Sequence, residues 1–335
     1  MKLNDLIKID QKQMFKAYDD WPNIARSSFE EDFKKFDVKD IDNIIFAGMG
    51  GSGTIGDTIQ AILSKQNIHV SVTKGYLLPK TVDSNTLVIA TSVSGNTDET
   101  LEILKQTKKT SAKAIGFSSG GLLEKLCKDH NIEFQKISMI HSPRVSFTRF
   151  LFSILNILEP ILPINQNEIF DAISSLDKIK ENIFSGNLTE NNKSLELAKF
   201  ISEFVCIYYP AGLRASAIRY KNSLQENSKM HAMTEDIIES CHNGIVSWER
   251  ESNVKPVLIQ GVNDNFKTIE RWKILKEFFN MRNVEYKIIK SIDGNILSKI
   301  TNLIYTLDYS TIYTAIMKDI DPSPVNSIDF IKSRL

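Results

Sequence analysis

The chain has 335 residues, 42% of them apolar and 24% charged, with 15 Gly and 9 Pro, the make-up of a packed globular protein rather than a disordered one. Its 41 basic residues balance 41 acidic ones, so no net field draws it to nucleic acid or to an anionic membrane. At ~100–200 residues per domain, the length fits two domains or one large one.

Residues 1–12 alternate Lys, Asp and Asn with single apolar residues and lack the apolar block of a secretory signal. From residue 43 onward, short apolar runs punctuated by Gly or Ser are each followed by ten or more residues at helical spacing. Strands are expected at 44–47, 69–73, 86–90, 113–117 and 132–137, with helices at 54–64, 98–107 and 122–129. About five strands in this rhythm make a doubly wound parallel α/β sheet.

Residues 147 to about 200 read as wholly helical, broken at Pro160, Pro163 and the polar stretch 185–192. The apolar neighbourhood 147–164 is interrupted by Arg149, Glu159, Pro160 and Pro163, so it is not expected to span a bilayer. A second αβ set follows, with strands at 204–209, 257–260 and 284–289 and helices at 213–224 and 266–279. Residues 43–65 and 203–226 share the order strand, small-residue turn, helix, as diverged copies of one fold would. A helix from 296 to about 318, the turn Asp321-Pro322-Ser323-Pro324 and a short helix ending at Leu335 close the chain. The expected division is 1–155 for a first domain carrying the anion site, and 156–335 for connecting helices, second domain and tail.

The first strand runs into Gly48-Met49-Gly50-Gly51-Ser52-Gly53. Glycines let the backbone approach a bound group closely, and the helix that follows offers free N–H donors and a positive dipole end to an anion. A tight turn without ligand is the ordinary alternative. A dinucleotide site would add an Asp or Glu about 20 residues on, and residues 67–82 contain no acidic residue, which leaves a nicotinamide-dependent oxidoreductase as the weakest reading. The third strand supplies Thr91-Ser92-Val93-Ser94-Gly95-Asn96-Thr97 directly before a helix. In a parallel sheet these two loops are neighbours, so Gly50, Gly51, Ser52, Ser92, Ser94 and Thr97 can converge on a terminal phosphate. Capping of the helix by Asn96 or Thr97 is the bland alternative, but it needs only one side chain.

The stretches GMGGSGTIGD and SVSGNTDETL, then PRVSF, QENSK, CHNGIVSW and DPSPVNSIDFIKSRL in that order, resemble the bifunctional phosphoglucose/phosphomannose isomerases, proteins with tandem sugar-isomerase (SIS) domains. The resemblance covers nearly the whole chain. It implies two flavodoxin-like three-layer domains joined by helices, a homodimer, no cofactor, and metal-free interconversion of aldose and ketose hexose 6-phosphates. Such a reaction passes through an enediolate and requires a base beside C1 and C2, a cation or donors beside the oxyanion, and a ring opener.

By position in the motifs, the resemblance implies that Glu226 shuttles the proton and that His242, reaching the site of the neighbouring subunit, opens the ring. It implies that Arg144 stabilises the enediolate and that Lys332 reaches back to the sugar beside the histidine. The family commonly has Glu where this sequence has Gly244. Each residue has an ordinary alternative: an exposed helix-end carboxylate, a surface imidazole, a surface salt bridge, a helix C-terminal lysine. A non-catalytic sugar-phosphate-binding regulator would share the Ser/Thr loops and need neither Glu226 nor His242, although no helix-turn-helix-like basic segment precedes residue 43. An aminotransferase with tandem SIS domains would add a glutaminase domain and an N-terminal cysteine, for which this chain has no counterpart.

Cys127, Cys206 and Cys241 show no Cys-x-x-Cys spacing, which argues against a disulfide framework and a thiolate zinc site and for a reduced, cytoplasmic protein. The five histidines lack ligand spacing, so no metal is expected.

Overall fold

Two runs of strand and helix build two separate parallel sheets in the computed structural model, which describes residues 1–334. The chain opens on three helices, α1 (Leu3–Ile9), α2 (Met14–Asp19) and α3 (Trp21–Glu30). The first sheet follows as β1 (Asn43–Ala47), α4 (Gly50–Leu63), β2 (His69–Thr73), β3 (Thr86–Thr91), α5 (Asp98–Thr107), β4 (Lys113–Ser118), α6 (Gly121–Asp129) and β5 (Glu133–Lys136). Helices α7 (Phe147–Ile157), α8 (Gln166–Ile183) and α9 (Lys193–Phe200) lead to the second sheet. That sheet is built from β6 (Phe204–Tyr209), α10 (Arg214–Asn227), β7 (His231–Asp236), α11 (Ile237–Ser240), β8 (Lys255–Gln260), α12 (Phe266–Met281) and β9 (Lys287–Lys290). Helices α13 (Ile296–Met317) and α14 (Asn326–Lys332) finish the described chain, and the expected helix end at Leu335 lies outside the described residues. No described helix is long and apolar enough to cross a membrane.

The residues divide into two compact units, Asp20–Ile173 and Met1–Asp19 with Ser174–Leu335. In the first, the strand order is β2-β1-β3-β4-β5, every pair parallel, with Ala47 of β1 opposite Thr73 of β2 and Ala90 of β3. The central strand β3 is buried at every residue, as a strand covered on both faces must be, and its near-continuous apolar run made it readable in the sequence. The reversal of strand order falls at β1 and β3, the place in an open α/β sheet where ligands bind beyond the carboxyl ends of the strands.

The other unit has the order β7-β6-β8-β9, again all parallel. Strand β7 is not among the expected strands: its sequence HAMTED has no apolar run, because it is an edge strand with no fully buried residue. Helix α13 is the core of this unit, buried from Leu297 to Ile316 at every residue but Lys299. So long a buried helix is compatible with its many hydroxyls because all but that of Ser298 bond within the protein. Thr301 and Thr314 donate to the carbonyls of Leu297 and Ser310, both at 2.8 Å, and the Tyr313 hydroxyl donates to the Ile183 carbonyl at 2.6 Å.

Candidate functional site

The glycine-rich segment after β1 is helical earlier than its composition suggests. Expected as a loop ahead of a helix at 54, it enters α4 at Gly50, with Met49 extended as the N-cap and no side chain capping the end. Gly50 makes the entry at φ +51, a conformation that favours glycine. The first-turn N–H groups at Gly50, Gly51 and Ser52 have no intrahelical acceptor and sit at the positive end of a 14-residue helix. A Cβ on Gly48 would lie 3.1 Å from both the Ser52 Cβ and the Thr91 carbonyl oxygen, so Ser52 and the end of β3 close on one small space that only a glycine leaves open.

The second loop supplies hydroxyls already in place. Ser92, 1% exposed, has its Oγ 2.8 Å from Thr97 Oγ1 and accepts the Gly95 N–H at 3.1 Å; Ser94 Oγ accepts the Asn96 N–H at 3.3 Å. Thr97 is the N-cap of α5 by position, yet its side chain makes no capping bond. Asn96 caps a different helix, accepting the Leu122 N–H of α6 at 3.0 Å. The loop is clasped from outside by Ser119, which donates to the Val93 carbonyl through its Oγ at 2.7 Å and its N–H at 3.0 Å. The hydroxyl of Thr91, fully buried, finds no partner among the described residues. Neutral donors and an unblocked helix start, gathered at two adjacent strand ends, suit a phosphate monoester.

Arg144 lies in the turn between β5 and α7 and is 6% exposed. Ser146 fixes that turn, accepting the Ile140 N–H at 2.9 Å and donating to the carbonyls of Ser142 and Ile140 at 2.9 and 3.0 Å.

In the other unit, Glu226 belongs to the last turn of α10 rather than following the helix, which runs three residues past the expected end at 224. The extension is held by tertiary bonds: Asn227 Nδ2 donates to Thr311 Oγ1 and Ser228 Oγ to the Thr311 carbonyl, both at 2.8 Å. One turn back, Ser223 donates to Asp308 at 2.7 Å, and Arg219 donates to the same carboxylate through Nε and Nη2 at 2.9 and 2.7 Å. Glu226 is half-buried at the end of this lattice.

His242 follows α11, whose start is capped by Asp236 accepting the Ile238 N–H at 2.8 Å. Its imidazole is exposed and makes no hydrogen bond or ion pair among the described residues. The backbone around it is firm: Asn243 caps the 3₁₀ turn Gly244–Glu249, and Trp248 at the far end donates to the Tyr208 hydroxyl at 2.7 Å. A Cβ on Gly244 would lie 3.1 Å from Glu235 Oε2, so a carboxylate from β7 reaches the place where a side chain at 244 would begin. Lys332 ends α14, a helix with no buried residue.

The structure thus brings Ser52 against the end of β3 and joins Ser92 to Thr97; His242 is bonded to none of the other chosen residues. Two further residues go unmarked in the sequence: Lys229, whose ammonium meets the Glu226 carbonyl at 2.6 Å, and Glu235 beside Gly244. The QENSK motif contains the first of these without giving it a role, and Glu235 sits on the edge strand that carries no pattern.

Residues 38–156 match the family model "SIS domain", and residues 190–335 match "Bacterial phospho-glucose isomerase C-terminal SIS domain". Among solved structures, a hypothetical protein of Thermus thermophilus shares the fold with a TM-score of 0.76 at 12% identity, over 98% of this chain and 92% of that one. A bifunctional phosphoglucose/phosphomannose isomerase of Aquifex aeolicus is 30% identical over 91% of this chain and 93% of its own length. The protein of the same name from Caldicellulosiruptor bescii is 30% identical over 97% of this chain and 96% of its own length. The ordered motifs, the two parallel SIS sheets and this end-to-end similarity lead to one conclusion: the chain belongs to the family of bifunctional phosphoglucose/phosphomannose isomerases.

Proposed function

We propose that this chain isomerises glucose 6-phosphate, and mannose 6-phosphate with it, to fructose 6-phosphate. The observation that carries the reading is the similarity to isomerases of that name along nearly its whole length, and the hydroxyl cradle at β1 and β3 supports the same substrate class. On this reading the first-turn N–H groups at Gly50, Gly51 and Ser52, with the hydroxyls of Ser92, Ser94 and Thr97, hold the 6-phosphate. Once the sugar is anchored by its phosphate, the reacting carbons meet catalytic groups at high effective concentration.

The imidazole of His242 takes the proton of the anomeric hydroxyl and delivers one to the ring oxygen as the bond from C1 to that oxygen breaks, opening the pyranose. Glu226 then removes the C2 proton of the aldose as a carboxylate and returns it to C1, while the hydroxyl proton passes from O2 to O1, leaving the ketose. The negative charge that develops on the enediolate oxygens is met by the Arg144 guanidinium, with Lys332 as a second cation beside the sugar. A base and fixed cations together supply what the enediolate needs, so the reaction is proposed to run without metal or cofactor. Residues 1–155 would carry the phosphate site and Arg144, and residues 156–335 would carry Glu226, His242 and Lys332. As the family resemblance implies, His242 is read as serving the partner's site in a homodimer, and the protein is read as cytoplasmic.

The test is a coupled assay of the purified protein with glucose 6-phosphate and mannose 6-phosphate, reading fructose 6-phosphate. Saturable binding with no product would replace the isomerase with a sugar-phosphate sensor.

A further inference from the structure

Lys229 has φ +55, a left-handed backbone. It stands directly after α10, where the N–H groups of Ser228 and Met230 both return to the Leu224 carbonyl, at 3.1 and 3.2 Å. This is the helix-ending turn in which glycine is the usual residue, so a lysine there accepts backbone strain that glycine would avoid. Its side chain accounts for the choice. The ammonium donates to the carbonyl oxygens of Glu226 at 2.6 Å, Pro324 at 2.8 Å and Pro322 at 3.3 Å.

The three carbonyls come from two places. One belongs to the last turn of α10, which bears Glu226, and the others to residues 321–324, the connection from α13 to α14. That connection holds itself in a turn, with the Ser323 N–H on Asp321 Oδ1 at 2.9 Å, and Pro322 and Ser323 are buried. The helix it leads to has no buried residue and ends at Lys332. The placement of Lys332 therefore depends on where residues 321–324 are fixed.

We propose that Lys229 is a positioning residue for the isomerase reaction, clasping the helix end that carries Glu226 to the tail segment that carries Lys332. The inference rests on the roles given to Glu226 and Lys332 above. Lys229 touches no substrate; it sets the relation of two groups that do.

Lys229→Gly is the telling variant, because glycine suits the left-handed turn and keeps it folded while removing the clasp. The expected result is a fall in kcat for glucose 6-phosphate of about tenfold to a hundredfold, the cost of small displacements of reacting groups. KM should stay within about threefold, since the phosphate cradle is untouched. Lys229→Arg should recover part of the rate. Adding Lys332→Ala to Lys229→Gly should cost far less than Lys332→Ala costs alone, because a released tail no longer presents its lysine. Amide hydrogen exchange over residues 321–332 is read in parallel and should rise in Lys229→Gly. An active wild type whose Lys229→Gly variant keeps its kcat, or whose two substitutions multiply independently, overturns the clasp, as does unchanged exchange in the tail. A wild type inactive on both hexose phosphates defeats the isomerase reading instead, and the exchange measurement still decides whether Lys229 holds the tail.

Discussion

Ser92 and Thr97 share a hydroxyl–hydroxyl bond of 2.8 Å across the loop after β3, and Thr97 makes it in preference to capping the helix it begins. A threonine at an N-cap normally turns its oxygen onto the N–H groups of the first turn. Here that turn is left open and the oxygen faces Ser92, the arrangement expected where an incoming anion completes the cap. Ser92→Ala and Thr97→Val should each weaken hexose 6-phosphate binding by about tenfold to a hundredfold, the worth of one hydrogen bond to a charged group. The expected kinetic form is a raised KM with kcat within a few-fold, measured with fructose 6-phosphate and checked by titration calorimetry.

Glu226→Gln keeps the size and the half-buried position of the side chain and removes its ability to accept a carbon-bound proton. Loss of a positioned general base typically costs about 10²–10⁴-fold, so kcat should fall by that amount while the affinity for fructose 6-phosphate stays within a few-fold. Exchange of the C2 hydrogen of glucose 6-phosphate with deuterated solvent, followed by NMR, should cease in the variant. Unimpaired exchange would remove Glu226 from the proton transfer.

Two glycines with left-handed backbones separate strain from crowding. Gly50 at φ +51 has open space where a Cβ would go, whereas Gly95 at φ +74 would place a Cβ 1.8 Å from the Gly120 carbonyl oxygen. Gly50→Ala should cost only the backbone term, roughly 1–2 kcal/mol. Gly95→Ala should add the cost of overpacking, roughly 1–3 kcal/mol more, and displace the loop that carries Ser92 and Ser94. Thermal melts should rank the two in that order, and Gly95→Ala should lose phosphate affinity through a moved loop.

Much of this was legible because the physics that sets it is local. Strands buried on both faces, such as β3, need unbroken apolar runs, and the glycine and hydroxyl clusters after β1 and β3 follow from close approach and donor supply. What escaped is set by distant partners. The edge strand β7 has no face fully covered, so it carried no pattern. The last turn of α10 is stabilised by Thr311 more than eighty positions away, which hid the fact that Glu226 is helical. The left-handed turn at Lys229 has no sequence signal either, because the residue there is not the glycine such a turn favours. Helices α1 to α3 carry apolar residues such as Leu6, Tyr18 and Trp21 that are buried within their own units, in a stretch too short and polar to announce itself.

The thiols should be silent. Burial pushes Cys127 and Cys206 up to about 12, and burial also raises Cys241 against the opposing pull of Arg271. Since the thiolate is the reacting species, native protein at pH 8 should leave Cys127 and Cys206 unmodified by iodoacetamide, with full reaction only in denaturant. Isomerase activity should survive the treatment. Rapid labelling of Cys206 in the native state would contradict its place beneath Trp248 in the core of the second sheet.

The lattice behind Glu226 should be costly to break from one side only. Arg219 and Asp308 are 2% and 0% exposed and are joined by two hydrogen bonds, with the hydroxyls of Ser223 and Tyr18 completing the carboxylate at 2.7 and 3.3 Å. Arg219→Met strands a buried carboxylate and should destabilise the protein by about 3–5 kcal/mol. Arg219→Met with Asp308→Leu removes both charges and should regain part of that loss, short of the full amount because Ser223 and Tyr18 lose their acceptor. Because α10 packs on α13 through this pair and carries Glu226 in its last turn, the double variant should fold yet turn over more slowly than wild type. Denaturant unfolding with kinetics on the same samples checks both parts, and a double variant no more stable than Arg219→Met would show that the helix contact, rather than the stranded charge, carries the cost.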